Sequence, residues 1–335
     1  MAPKSVLVTG ANGHLGFRAL VSALETGYKV RAVIRRQAAA DQIKAAKSTQ
    51  PYSNQIEIVF VQDLLREGAF DEAVVGMDYV LHIASPVSRP SEDYYADFIE
   101  PAVQGTLGLL RSVAKRSPSV KRVVITSSIA ALNISLPSVS ETDLAPVPDP
   151  HAFFANSFAG YAASKQIALS QTSRSLADNK ATFDVIHILP AVILGKNELA
   201  TSVTDFSSGT NRYAMNIALG IDAPAPMIGA TVHVDDVGLL HVLALDEKVK
   251  VGETGVRNFI ASAASVTWSE VSEIARVAFP GEVEKGVLKL GGKMDTKTVK
   301  LDTRATDREF NISWKGLEEQ VKSVLGHYLE IKAKD

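Results

Sequence analysis

Tyr161 and Lys165 stand four residues apart in Tyr161-Ala162-Ala163-Ser164-Lys165, which puts a phenol and an ammonium on one face of a helix. A neighbouring cation favours the phenolate and lowers the tyrosine pKa, so the hydroxyl can give its proton to a developing alkoxide nearer neutral pH. Thirty-three residues upstream of Tyr161, the run Val123-Val124-Ile125-Thr126-Ser127-Ser128 reads as a buried strand that ends in hydroxyls. In a doubly wound sheet ligands bind at the carboxyl ends of strands, where the hydroxyl of Ser127 or Ser128 could hold a substrate oxygen. The three residue types together suit reduction of a carbonyl group.

Such chemistry needs a hydride source, and the first strand leads into a place for one. Val6-Leu7-Val8-Thr9-Gly10-Ala11-Asn12-Gly13-His14-Leu15-Gly16 has three glycines at x3 spacing between a strand-like run and an apolar-faced helix. Gly10 permits the tight turn, Gly13 lets backbone approach a pyrophosphate, and Gly16 allows helix to pack closely on strand, with Asn12, His14 and Leu15 in the same phosphate-facing turn. At the end of the second strand, about twenty residues beyond Gly16, an acid would accept the ribose hydroxyls of NAD. Arg35 and Arg36 stand there instead, suited to fork a 2′-phosphate, so the expected cofactor is NADPH. Asp63 and Leu64, just after the third strand, would bracket the adenine.

The elements that must hold these residues follow from the pattern of apolar runs. Val/Ile/Leu-rich stretches near 5–9, 29–34, 56–60, 79–83, 121–126 and 183–189 alternate with longer amphipathic stretches. This predicts an α/β fold, a Rossmann-type doubly wound parallel sheet of six strands. After Pro190 the pattern loosens into loop signals, which predicts a smaller, discontinuous substrate-binding lobe. The expected division is a cofactor domain over 1–190 with 231–262 returning to it, including strand-like Thr231 to Val234, and a substrate lobe over 191–230 and 263–335. With 335 residues, 46% hydrophobic and 21% charged, and a net charge of −2, the chain has no basic excess to point to nucleic acid or an anionic membrane. Met1-Ala2-Pro3-Lys4 runs directly into the first strand, and no apolar stretch of about 18 residues follows. A cytosolic protein with a small-molecule partner, monomer or homodimer, is the expectation. There are no cysteines, which removes disulfides, thiolate nucleophiles and Cys-ligated zinc together; His151 and His187 read as structural, and no metal site is expected.

The residues now resemble a family. Thr9-Gly10-x-x-Gly13-x-x-Gly16, His82-Ile83-Ala84-Ser85-Pro86, Thr126-Ser127-Ser128, Tyr161-x-x-x-Lys165, Leu189-Pro190-Ala191-Val192 and Val232-His233-Val234-Asp235-Asp236-Val237 are similar to the extended short-chain dehydrogenases. Within them the chain most resembles dihydroflavonol reductases, cinnamoyl-CoA reductases and the fungal methylglyoxal and aldehyde reductases. The resemblance implies that Ser128 orients the carbonyl, Tyr161 donates the proton, and Lys165 binds the nicotinamide ribose while polarising Tyr161. It implies further that Ala84, Ser85 and Pro86 line the dinucleotide channel and that Pro190 and Val192 sit beside the nicotinamide. The chain departs from the family at Ala102, where many members carry an Asn that could support a water relay to the lysine.

Substrate-facing loops are expected over 85–98, 131–160 and 195–230, after strands four, five and six. Phe153, Phe154, Phe158, Phe206, Tyr213 and Met215 lie in them and no basic cluster does, which suits a neutral, fairly hydrophobic carbonyl compound, with Phe153 and Phe154 as first candidates for contact. Two other functions use the same fold. A nucleotide-sugar epimerase or dehydratase would want tightly held NAD, against which Arg35 and Arg36 argue; a non-catalytic NADPH sensor would not need the Tyr-Lys pair.

Overall fold

A computed structural model of the chain describes residues 3–178 and 181–334. These form two compact units. The first comprises the described residues up to Ile134 and of Glu141–Leu189, together with Gly238–Phe259; the second comprises Ser135–Ser140, Pro190–Val237 and the described residues from Ile260.

In the first unit, short apolar runs become strands and the amphipathic stretches between them become helices: β1 Ser5–Thr9, α1 His14–Glu25, β2 Lys29–Ile34, α2 Gln37–Ala45, β3 Ile56–Phe60, β4 Tyr79–His82, α3 Glu100–Arg116, β5 Arg122–Thr126, α4 Ser157–Asp178 and β6 Asp184–Pro190. Strand-to-strand crossovers of this kind require parallel pairing. Strand β4 is a residue shorter than its apolar run, because the amides of Ile83 and Ala84 both turn to Thr9 Oγ1, each at 3.1 Å, instead of extending the ladder. Leu7, Val80, Val123 and Val185, each at 0% exposure, run through the core with Phe70, Leu109 and Val113. They read as unbroken apolar strands because both faces of the sheet are covered.

The segment 190–237 carries β7 Val192–Leu194, α5 Asn211–Ala218, β8 Met227–Ile228 and β9 Thr231–His233, after which β10 Val256–Ala261 closes the main sheet. The order is β10-β6-β5-β4-β1-β2-β3, seven strands rather than six. Residues 231–234 do not return to that sheet. Thr231–His233 pairs in parallel with Val192–Leu194 in a separate two-stranded ladder, and the stretch that groups with the first unit is Gly238–Phe259. Gly255 is the entry point of β10, its carbonyl taking the Val185 amide at 2.8 Å.

The second unit gathers around Trp268, which is fully buried and donates its indole N–H to the Ile228 carbonyl at 3.0 Å. Met215, Ile217, Val271, Val321 and Leu325 pack with it. Residues 135–140 belong here because Val139 is held in a short bridge, its amide to Lys300 O at 2.9 Å and its carbonyl from Asp302 N at 2.7 Å.

Candidate active site

The register of the sheet sets one row of side chains. Thr9 pairs with His82, His82 with Ile125 and Ile125 with His187, so these four residues stand level across β1, β4, β5 and β6, facing one way. Helix α4 presents Tyr161, Lys165, Ala168, Leu169 and Thr172 at helical spacing, and most of that stripe meets the row. Its first turn is capped by Asn156, whose Oδ1 accepts from Ala159 N at 3.0 Å.

Gly10 ends β1 with φ +69°, and a Cβ there would sit 2.8 Å from Ala84 N. A side chain is therefore excluded by conformation and by space. A Cβ on Gly16 would lie 2.0 Å from the Gly10 carbonyl oxygen. Gly16 thus lets helix α1 close on the turn that follows β1, and Gly10, besides making that turn, allows the close approach of the chain after β4. Helix α1 starts at His14 with no side-chain cap, so its first-turn amides remain available to an anion. Asn12 and Gly13 are exposed, His14 is half-buried and Leu15 is buried. Arg35 and Arg36 are exposed just beyond β2, whose Val33 is level with Thr9, and among the described residues neither guanidinium is paired with a carboxylate.

Lys165 is 5% exposed. It donates to Ser85 Oγ at 2.8 Å, and its Nζ stands 5.6 Å from the centroid of the Tyr161 ring. Burial without a carboxylate partner pushes its ammonium down to about 8. Ser128 is also buried, and its Oγ accepts from Ala130 N at 3.1 Å, capping a single turn at Ile129–Ala131. Its hydroxyl proton is still available to an acceptor. Ser127 continues the ladder through its amide to Ile188 O at 2.8 Å, and Ser127, rather than Ser128, is among the residues lining the cavity beside Lys165.

The remaining expected residues are scattered in role. Ala84, Ser85 and Pro86 are half-buried after β4. Asp63 is exposed and spends one carboxylate oxygen on Leu65 N at 2.9 Å, while Leu64 is half-buried. Phe153 is 92% exposed, whereas Phe154 packs against Ile99, Val103, Ala163 and Ile167. Pro190 and Val192 belong to the second unit, Val192 in the ladder with Thr231. Ala102 is buried in α3 and brings no polar group.

Sequence reasoning gave no role to Thr9 and His82 and treated His187 as structural. All three are buried, and His82 and His187 line the cavity beside Lys165. The available signal was positional: Thr9 and His82 are polar residues at the ends of adjacent apolar strands. Among the described residues no group of His, Asp or Glu converges as metal ligands would.

A doubly wound sheet with a glycine turn at its first strand end and a buried lysine beside a tyrosine is the build of a dinucleotide-dependent enzyme. A model of the NAD-dependent epimerase/dehydratase family matches residues 6–258, and the chain belongs to that family, in keeping with the extended short-chain dehydrogenase motifs. A ketoreductase of Cercospora beticola is 35% identical, covering 100% of this chain and 98% of its own. An aldehyde reductase of Sporidiobolus salmonicolor is 29% identical, over 96% of this chain and 95% of its own. The yeast methylglyoxal/isovaleraldehyde reductase complexed with NADPH shares the fold, with a TM-score of 0.83 at 24% identity over 99% of this chain and 100% of that one.

Proposed function

We propose that the protein reduces a ketone or aldehyde to its alcohol, with NADPH as the reductant and Tyr161 as the proton donor. The observation that carries this reading is the buried ammonium of Lys165, without a carboxylate partner in its cavity, beside the Tyr161 ring. The names of the ketoreductase and aldehyde reductase relatives support the same class of reaction.

The chain's residues fit the cofactor. The Gly10 and Gly16 positions admit no side chain, leaving bare backbone and the α1 amides for a pyrophosphate, and the unpaired guanidiniums of Arg35 and Arg36 suit a 2′-phosphate. Ala84, Ser85 and Pro86 would line the rest of its site, with Asp63 and Leu64 toward the adenine. When bound, NADPH supplies the hydride to the carbonyl carbon.

Negative charge then grows on the carbonyl oxygen, and Tyr161 neutralises it by transferring its hydroxyl proton there. Lys165, charged below about pH 8, lowers the cost of the phenolate left behind. Ser128 donates its hydroxyl hydrogen to the same oxygen, orienting the carbonyl and sharing the charge. Phe153, with its ring in solvent, offers apolar surface to a neutral substrate, while Phe154 acts through packing.

The test is consumption of NADPH or NADH against a panel of ketones, aldehydes, keto acids and nucleotide sugars. The reading expects turnover with NADPH and neutral aromatic or branched carbonyl compounds. Turnover confined to nucleotide sugars, or best with small keto acids, would reject it.

A further inference from the structure

Behind Lys165 lies a cavity of about 10 Å³ for a water-sized sphere, bounded by His82, Ser85, Thr126, Ser127, Lys165 and His187 among others. That is about the space one water molecule needs. No carboxylate lines it. Two of its buried polar atoms, His82 Nε2 and Ser127 Oγ, have no protein partner, and a buried polar atom without one costs about 1–3 kcal/mol.

The hydrogen-bond pattern fixes what the two histidines offer. Thr9 Oγ1 accepts from the amides of Ile83 and Ala84, so its own proton goes to His82 Nδ1, 2.9 Å away. His82 is therefore the tautomer with its hydrogen on Nε2, a buried donor without a protein acceptor on a residue that lines the cavity. His187 is the opposite case. Asn258 donates its amide nitrogen to Glu141 O at 3.3 Å, which leaves Oδ1 to accept from His187 Nδ1 at 3.1 Å. The lone pair on His187 Nε2 then has only Thr172 at 3.3 Å, whose single proton is shared with the Ala168 carbonyl at 3.0 Å.

We propose that one water molecule occupies this cavity, accepting from His82 Nε2 and Lys165 Nζ and donating to His187 Nε2 and Ser127 Oγ, and that it stabilises the charged lysine. His82 and Ser127 are positioning residues in this account, acting on the reaction through Lys165. The inference rests on the reading of Lys165 given above. The titratable groups facing Lys165 are Tyr161 on its own helix, His82 on β4 and His187 on β6. Burial holds both histidines neutral, His82 down to about 3 and His187 to about 4, so neither adds a competing positive charge near neutral pH. A water dipole is then what offsets the desolvation of the ammonium.

The test has two parts. A crystal structure of the full chain should show water within hydrogen-bond distance of both His82 Nε2 and Ser127 Oγ; a dry cavity overturns the proposal. The pH dependence of kcat and of NADPH affinity should then be followed in His82→Phe, Ser127→Ala and His82→Gln, with thermal unfolding to confirm folding. Loss of the water disfavours the ammonium, so the alkaline fall of both quantities should move to lower pH in the first two variants, by about one unit or more. His82→Gln, which keeps an N–H near Nε2, should restore the wild-type profile. Unchanged limbs in Ser127→Ala, the small truncation that keeps the fold, overturn the proposal even if His82→Phe does not fold. Water density and NADPH affinity require no turnover. A hydrated, NADPH-binding protein inert to every carbonyl compound would therefore sink the reductase reading while leaving this one standing.

Discussion

The two ends of one sheet treat buried charge in opposite ways. At the amino end, Arg122 opens β5 at 1% exposure, and its Nη2 reaches Asp184 at 2.9 Å and Val249 O at 2.8 Å. Its Nη1 reaches the carbonyls of Ala244, at 3.2 Å, and Asp246. Beside it Tyr79, the first residue of β4, donates to Glu247 at 2.6 Å. At the carboxyl end, Lys165 is also buried, with one hydroxyl partner and no carboxylate in its cavity. The first cation ties separate segments together and is neutralised in place. The second stays poised near the pH at which it loses its proton. A buried charge that the fold leaves uncompensated is a cost to stability, and such costs mark chemistry.

Paired substitutions would break this contrast most severely. Arg122→Met removes the donor to three carbonyl oxygens and the partner of the partly exposed Asp184, and should destabilise the protein by about 1–3 kcal/mol while leaving turnover per folded molecule intact. Lys165→Met should abolish turnover yet hold or raise the melting temperature of the cofactor-free protein. The folded-state pKa of Lys165 is lowered from 10.5 to about 8, so between those values the unfolded chain keeps a proton that the folded chain has released. Stability contributed by this group rises with pH across that window, and the Met variant should lose that slope. Thermal unfolding from pH 7 to 10 checks both variants. Destabilisation of similar size in the two would erase the distinction.

A smaller effect sharpens the account at the end of β2, where the charge in question is exposed rather than buried. Arg35→Ala should weaken NADPH by about 1.5–3 kcal/mol and scarcely change NADH, read by titration of nicotinamide fluorescence. Equal losses for both cofactors would detach Arg35 from the 2′-phosphate.

What was legible in the sequence follows the same division. Gly10 and Gly16 could be read because a backbone conformation or a close approach demands that residue type, and the apolar runs gave six strands to within a residue at each end. The seventh, Val256–Ala261, was missed as a separate strand because Arg257 and Asn258 interrupt its apolar run, and only tertiary pairing decides whether it or Thr231–His233 joins the main sheet. Tyr161 and Lys165 were legible because helical spacing is local. The row Thr9, His82 and His187 was not, since it exists only in the register of non-consecutive strands. Phe153 and Phe154 were indistinguishable neighbours in sequence and became a solvent-exposed ring and a packing ring.

The central claim is that Tyr161 gives the proton in carbonyl reduction, and single-turnover hydride transfer in Tyr161→Phe tests it most directly. That change keeps the ring and removes only the hydroxyl. With NADPH affinity confirmed by titration, the rate should fall by about 10²–10⁴. Hydride transfer near the wild-type rate in a Tyr161→Phe protein that still binds NADPH would contradict the mechanism.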